Sequence, residues 1–114
     1  MARVYAEDQG SGYRVLVDRL WPRGVSKDRL FLDEWAKDVA PSAELRRWYG
    51  HEPSRFEEFA RRYRDELATA PAADVAARLS TIARDRGVVL LTATRDVERS
   101  GAQVLRDHLV KRRR

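Results

Sequence analysis

Two apolar runs, Val15-Leu16-Val17 and Val88-Val89-Leu90-Leu91, constrain this 114-residue chain more than any other feature. Consecutive apolar residues leave no polar face, so a strand built from them has to be covered on both sides. That is the pattern of parallel or mixed sheets in α/β proteins. Each run also ends abruptly in polar residues. The first opens into Asp18-Arg19-Leu20-Trp21-Pro22-Arg23-Gly24 and the second into Thr92-Ala93-Thr94-Arg95-Asp96. Ligands of open α/β sheets gather beyond the carboxyl ends of strands, so both exits are candidate site segments.

The intervening residues read as short helices and turns. Residues 3–6 and 13–18 have strand patterns, separated by a polar, glycine-containing turn over 7–12. Ser26 is placed to cap a short turn through Arg29. Residues 31–38 suit a strand or an irregular helix equally, and the pattern stops at Ala40-Pro41, because proline pushes its predecessor out of helical geometry. Ser42 is an N-cap for a short helix to Tyr49, which Gly50 ends. Ser54-Arg-Phe-Glu57 has the form of a capping box, after which Phe56, Phe59, Tyr63 and Leu67 recur at helical spacing, as a core-facing stripe. Residues 69–73 connect to the next helix, with Pro71 near its start. Val75, Leu79 and Ile82 share one face of that helix, and Gly87 ends it. The final helix turns Ala102, Leu105 and Leu109 inward, with Ser100 and Gln103 as a second capping box.

A chain of this length makes one domain. Residues 1–110 are read as that domain and residues 111–114 as a basic tail. The hydrophobic fraction of 43% and ten aromatic residues can fill a small core, while 36% charged residues demand a well-solvated or ion-paired surface. The formal charge of +5 is largely local: Lys111-Arg-Arg-Arg114 supplies four positive charges and leaves a nearly neutral body. Such a tail would touch polyanions weakly and with strong salt dependence. The absence of cysteine excludes disulfides, thiol catalysis and thiolate metal sites. No segment approaches the roughly 20 apolar residues of a membrane span, and the N-terminus lacks the apolar core of a signal peptide. These observations predict a cytoplasmic protein without membrane contact.

The helix-strand-helix order over residues 72–113 implies a crossover that sets the second apolar strand parallel to the first. Both polar exits then lie at one edge of the sheet and form a two-segment site of Asp18, Arg19, Trp21, Arg23, Arg95 and Asp96. Arg23 and Arg95 present planar guanidinium groups to phosphate or carboxylate. Trp21 offers a face for the organic part of a ligand, and Asp18 is placed to orient an arginine or handle a proton. The following helix N-terminus favours an anion. Structural alternatives stand beside these roles: Asp18 pairs with an arginine while Trp21 plugs the sheet edge, Asp96 or Ser100 caps the helix, or salt bridges lock the two loops together.

Other groupings are weaker. Asp33, Glu34 and Asp38 lack metal-ligand spacing and suit a solvated face. Two histidines, His51 in a turn and His108 in the last helix, do not make a zinc site. The arginines at 46, 47, 55, 61, 62 and 64 alternate with acids, which predicts ion pairs on helix faces rather than a basic stripe. No phosphate-binding glycine loop or nucleophile elbow occurs.

Residues 13–24, with Asp33-Glu-Trp35, Ala40-Pro-Ser42, Leu45-Arg-Arg-Trp-Tyr49 and Phe56-Glu-Glu-Phe59 followed by Tyr63, resemble the YeaO-like branch of domain-of-unknown-function family 488 across nearly the whole chain. The resemblance implies a small, single-domain bacterial α/β protein of the cytoplasm and supplies no catalytic assignment. It also marks a departure: relatives commonly carry an Asn-His pair where Ser100-Gly101 stands. Residues and resemblance together predict a compact α/β domain, with a small mixed or parallel sheet flanked by helices. Its expected role is an anion pocket for a phosphate, carboxylate or nucleotide-like ligand at the sheet edge. The alternative is a non-enzymatic regulatory or nucleic-acid-associated binding module. No metal is expected, and catalysis, cofactor and oligomeric state are left unassigned.

Overall fold

A computed structural model describes residues 2–3, 12–26 and 31–112. Four parallel strands run in the order β1 (Ala2–Arg3), β4 (Val88–Thr92), β2 (Tyr13–Leu16), β3 (Glu34–Trp35). The central pair β2 and β4 aligns Tyr13 with Val88 and Leu16 with Leu91, and the Val17 amide extends the ladder by donating to the Leu91 carbonyl at 3.1 Å. Of the two sheet types expected, the described strands form the parallel one.

Both faces of this pair are covered, as the unbroken apolar runs require. Val15, Val17 and Leu90 point into the main core with the helices α1 (Ala43–Tyr49), α2 (Phe56–Leu67), α3 (Ala72–Arg86) and α4 (Gly101–Arg112). Leu16, Val89 and Leu91 point the other way, where Trp21, Val25, Leu32, Trp35 and Ala93 cover them. Among the described residues the second cover is thus built from loop and edge-strand side chains, not from a further helix layer.

The local signals account for most elements. Ser42 accepts from the Leu45 amide at 3.1 Å and starts α1, which Gly50 ends in the left-handed conformation at φ 54°. Glu66 of α2 locks this start by accepting from both the Ser42 amide (2.9 Å) and hydroxyl (2.7 Å). Phe59, Tyr63 and Leu67 are buried along α2, with Phe56 half-buried at its start. Residues 31–38 are ambiguous in sequence because they hold two elements, β3 and a 3₁₀ turn at Lys37–Val39.

Two expectations are corrected. Ser54 does not cap a helix: Pro53–Arg55 is a 3₁₀ turn, the Ser54 hydroxyl donates back to Glu52 at 3.3 Å, and α2 begins at Phe56 without a side-chain cap. The second capping box is half-formed. Ser100 accepts from the Gln103 amide at 3.2 Å, but the Gln103 side chain donates to Asp107 instead of reaching back. The strand expected over 3–6 is described only at its first residue, and the turns over 7–11 and 27–29 lie outside the described residues. Helix α4 continues to Arg112, so the first half of the basic tail belongs to its last turn.

Candidate functional site

The two polar exits meet. Asp18, two residues beyond β2, accepts from the Thr92 hydroxyl at 2.8 Å and from the Ala93 amide at 2.7 Å. Its own carbonyl accepts from the Trp35 indole at 2.8 Å, which ties β3 to the same point. Burial pushes the Asp18 carboxyl above the usual carboxylate range, against the opposing pull of the Ala93 amide, the Thr92 hydroxyl and the Arg46 charge. Among the described residues Asp18 joins no ion pair. The loops are therefore clasped through hydrogen bonds to one carboxylate, where the sequence suggested salt bridges.

Beyond this clasp lies a cleft of about 720 Å³ lined by all six residues expected from the sequence: Asp18, Arg19, Trp21, Arg23, Arg95 and Asp96. They differ in what they are occupied with. The Arg19 guanidinium donates to the carbonyls of Pro41 (3.2 Å) and Ala40 (3.4 Å), which fixes the loop against the segment leading into α1. Trp21 donates to the Val25 carbonyl at 2.6 Å and packs edge-on against Trp35, with ring centroids 5.3 Å apart. It closes the second core while lining the cleft. Arg23 and Arg95 are exposed. Asp96 pairs with Arg99 at 3.1 Å, three residues on.

Sequence reasoning missed the opposite wall. Arg46 and Arg47 of α1 line the same cleft, as does His51 just after it. Neither arginine forms an ion pair among the described residues, whereas Arg61 and Arg62 of α2 pair with Glu58 as expected, at 2.7 and 2.8 Å. The signal was available. Arg46 has no acid three or four residues away in either direction, so helical spacing could not neutralise it. His51 follows left-handed Gly50 and is itself left-handed at φ 57°, a conformation uncommon outside glycine. That turn sets it, exposed, along the cleft lining.

The first turn of α4 completes the enclosure with Ser100, Gly101 and Ala102. Gly101 is there because nothing larger fits easily: a Cβ would lie 3.0 Å from the Pro41 ring and 3.6 Å from Tyr63. Five guanidinium groups thus face two carboxylates around one cleft. Asp96 is paired with Arg99 and Asp18 accepts from neutral donors, so positive charge outnumbers negative along the lining. Among the described residues no group of histidines and acids could hold a metal ion, and no helix is long and apolar enough to cross a membrane.

The family model described as "Inactive DUF488-N3 subclade" matches residues 1–114. The uncharacterised protein Rv3073c of Mycobacterium tuberculosis is 51% identical over 106 residues, covering 92% of this chain and 87% of its own. The uncharacterised protein YeaO of Escherichia coli is 42% identical over 108 residues, covering 94% and 92%. No solved structure matches the chain. The chain belongs to the DUF488-N3 subclade, within the family that the sequence resemblance named.

Proposed function

From that membership and from the cleft, we propose that this protein is a cytoplasmic binder of a small anionic molecule, phosphorylated or carboxylated, held where β2 and β4 end. One observation carries the reading: arginines from three separate segments, the loop after β2, helix α1 and the loop after β4, line one cleft whose two carboxylates are already engaged. Guanidinium groups suit planar, bidentate recognition of phosphate and carboxylate. The positive end of the α4 dipole adds to the same field. Arg23 and Arg95 bind the anion, Trp21 and the neighbouring apolar side chains pack on its organic part, and Arg19 shapes the floor. Asp18 acts as the clasp that sets the loops in register.

Binding without turnover fits best. The matching family model describes an inactive subclade, and the Asp18 oxygens are committed to Thr92 and Ala93. A thermal-shift screen of phosphates, nucleotides and small acids tests the proposal on wild type, Arg23→Ala and Arg95→Ala. A ligand at 100 times its Kd adds about 2.7 kcal/mol to the folded state, or roughly 10 °C for a domain of this size. Hits that vanish in the variants are expected. Wild type that stays folded and shifts with no anion overturns the reading.

A further inference from the structure

The charge on the cleft exceeds what one anionic group can satisfy. Arg23 aside, and with Asp96 paired to Arg99, the lining's Arg19, Arg46, Arg47 and Arg95 set against Asp18 leave an excess of three positive charges. A phosphate monoester carries about two negative charges at neutral pH. A single such group bound between Arg23 and Arg95 would leave the α1 wall uncompensated. Two consecutive arginines that form no ion pair among the described residues repel each other and their neighbours across low-dielectric walls.

The α1 wall is also built for contact. Arg46 lies near enough to Asp18 for its charge to act on that carboxyl. Helix α1 is fixed at both ends: Glu66 holds Ser42 at its start, and the buried Tyr49 near its end donates to the Arg99 carbonyl at 2.7 Å. The arginines thus stand on a rigid element facing the two strand exits. Elsewhere on the surface this chain neutralises arginines at helical spacing, as with Glu58, Arg61, Arg62 and Asp65. The cleft is also roomier than one phosphate needs, and its volume falls in the range that holds a drug-sized ligand.

We propose that the cleft takes a ligand with two anionic groups in tandem, a phosphoanhydride such as a nucleoside diphosphate, with Arg46 and Arg47 gripping the second group. This rests on the anion-binding reading above and narrows it to a ligand class. Calorimetric titrations of inorganic phosphate, inorganic pyrophosphate, AMP and ADP at fixed ionic strength test it. The proteins are wild type, Arg46→Gln/Arg47→Gln and the charge-matched control Arg61→Gln/Arg62→Gln. All four substituted arginines are exposed, so melting curves should show every variant folded.

Wild type is expected to bind pyrophosphate over phosphate, and ADP over AMP, by at least tenfold. The α1 variant should bind all four about equally, and the α2 control should keep the preference. Equal binding of single and tandem groups by wild type overturns the inference while leaving the anion site standing. Equal loss in the control also overturns it, by tracing the preference to overall charge. Failure of every compound to bind removes the anion-binding reading itself.

Discussion

Truncating Asp18 to alanine should destabilise the fold by about 2–4 kcal/mol, because one carboxylate accepts from two donors that pin the ends of β2 and β4 together. The Thr92 hydroxyl donates at 2.8 Å from a side chain that is 1% exposed, and the Ala93 amide donates at 2.7 Å. Hydrogen bonds to a charged acceptor contribute about 1.5–3 kcal/mol each. Their sum is reduced by the cost of burying the carboxylate, which its raised pKa records. At roughly 4 °C per kcal/mol for a chain of this length, Tm should fall by about 10 °C. A double-mutant cycle with Thr92→Val isolates the hydroxyl bond. Urea denaturation of the four proteins at pH 7 should give a coupling of about 1.5–3 kcal/mol. The pH dependence has a definite sign. With its pKa raised, Asp18 holds a proton more tightly folded than unfolded, so its contribution is full below the unfolded value of about 3.9 and is lost as pH rises through the folded value. The gap between wild type and Asp18→Ala should therefore widen as pH falls from 7 toward 4. Effects that add within about 0.5 kcal/mol would refute the clasp, and a gap that narrows in acid would refute the dominance of burial over its hydrogen bonds.

Two further outcomes are expected. Gly101→Ala should lower the urea midpoint by the equivalent of about 1 kcal/mol. Its new methyl meets the Pro41 ring at 3.0 and 3.3 Å, and overpacking of about 1–3 kcal/mol outweighs a helix gain of about 0.5–1 kcal/mol. Adding Pro41→Ala should return part of the loss, and a stabilised single variant would show that the ring yields. Glu34 behaves oppositely to Asp18 with pH: hydrogen bonds from Arg78, at 2.7 and 2.5 Å, hold its carboxyl below the ordinary range against partial burial. Its contribution is present above about pH 4.3 and is lost as pH falls through the depressed folded value. The advantage of wild type over Glu34→Gln in urea midpoint should hold from pH 7 to 5 and close in stronger acid; a constant gap to pH 3 counts against the pair.

What the sequence made legible follows from how local each signal is. The runs at 15–17 and 88–91 had to be covered on both faces, and that alone led to the parallel pair and to two exits at one edge. Ser42 and Gly50 act on their immediate neighbours, so the bounds of α1 could be read directly. Ser54 misled because the capping pattern ignores Pro53 and Glu52 just before it, which favour a 3₁₀ turn and draw the serine hydroxyl backward. The cover on the second sheet face was not legible. It joins Trp21, Leu32 and Trp35 from a connection that has no periodicity. Arg46 and Arg47 were assigned to ion pairs on the average composition of their neighbourhood. Position-by-position spacing separates Arg46 from Arg61 and Arg62, which have Glu58 one turn away, but not Arg47, which has Glu44 at the same spacing.

The departure at Ser100-Gly101 bears on what such a cleft can do. Where the family resemblance places an Asn-His pair, this chain has a serine whose hydroxyl is spent inside its own turn, between the Val97 carbonyl and the Gln103 amide. The glycine beside it lets the start of α4 press against Pro41, and the Pro41 carbonyl in turn holds Arg19. In this chain that position is a packing contact that steadies the arginine loop. The histidine that lines the cleft, His51, sits exposed in the turn after α1, away from the clasped carboxylate in sequence and attached to a different element. General acid–base chemistry needs a proton-transfer group held within hydrogen-bond reach of the reacting atom. Holding an anion needs only fixed positive charge. On the proposed reading, the cleft holds an anion through its arginines, with Ser100 and Gly101 bracing the loop that carries them rather than moving a proton.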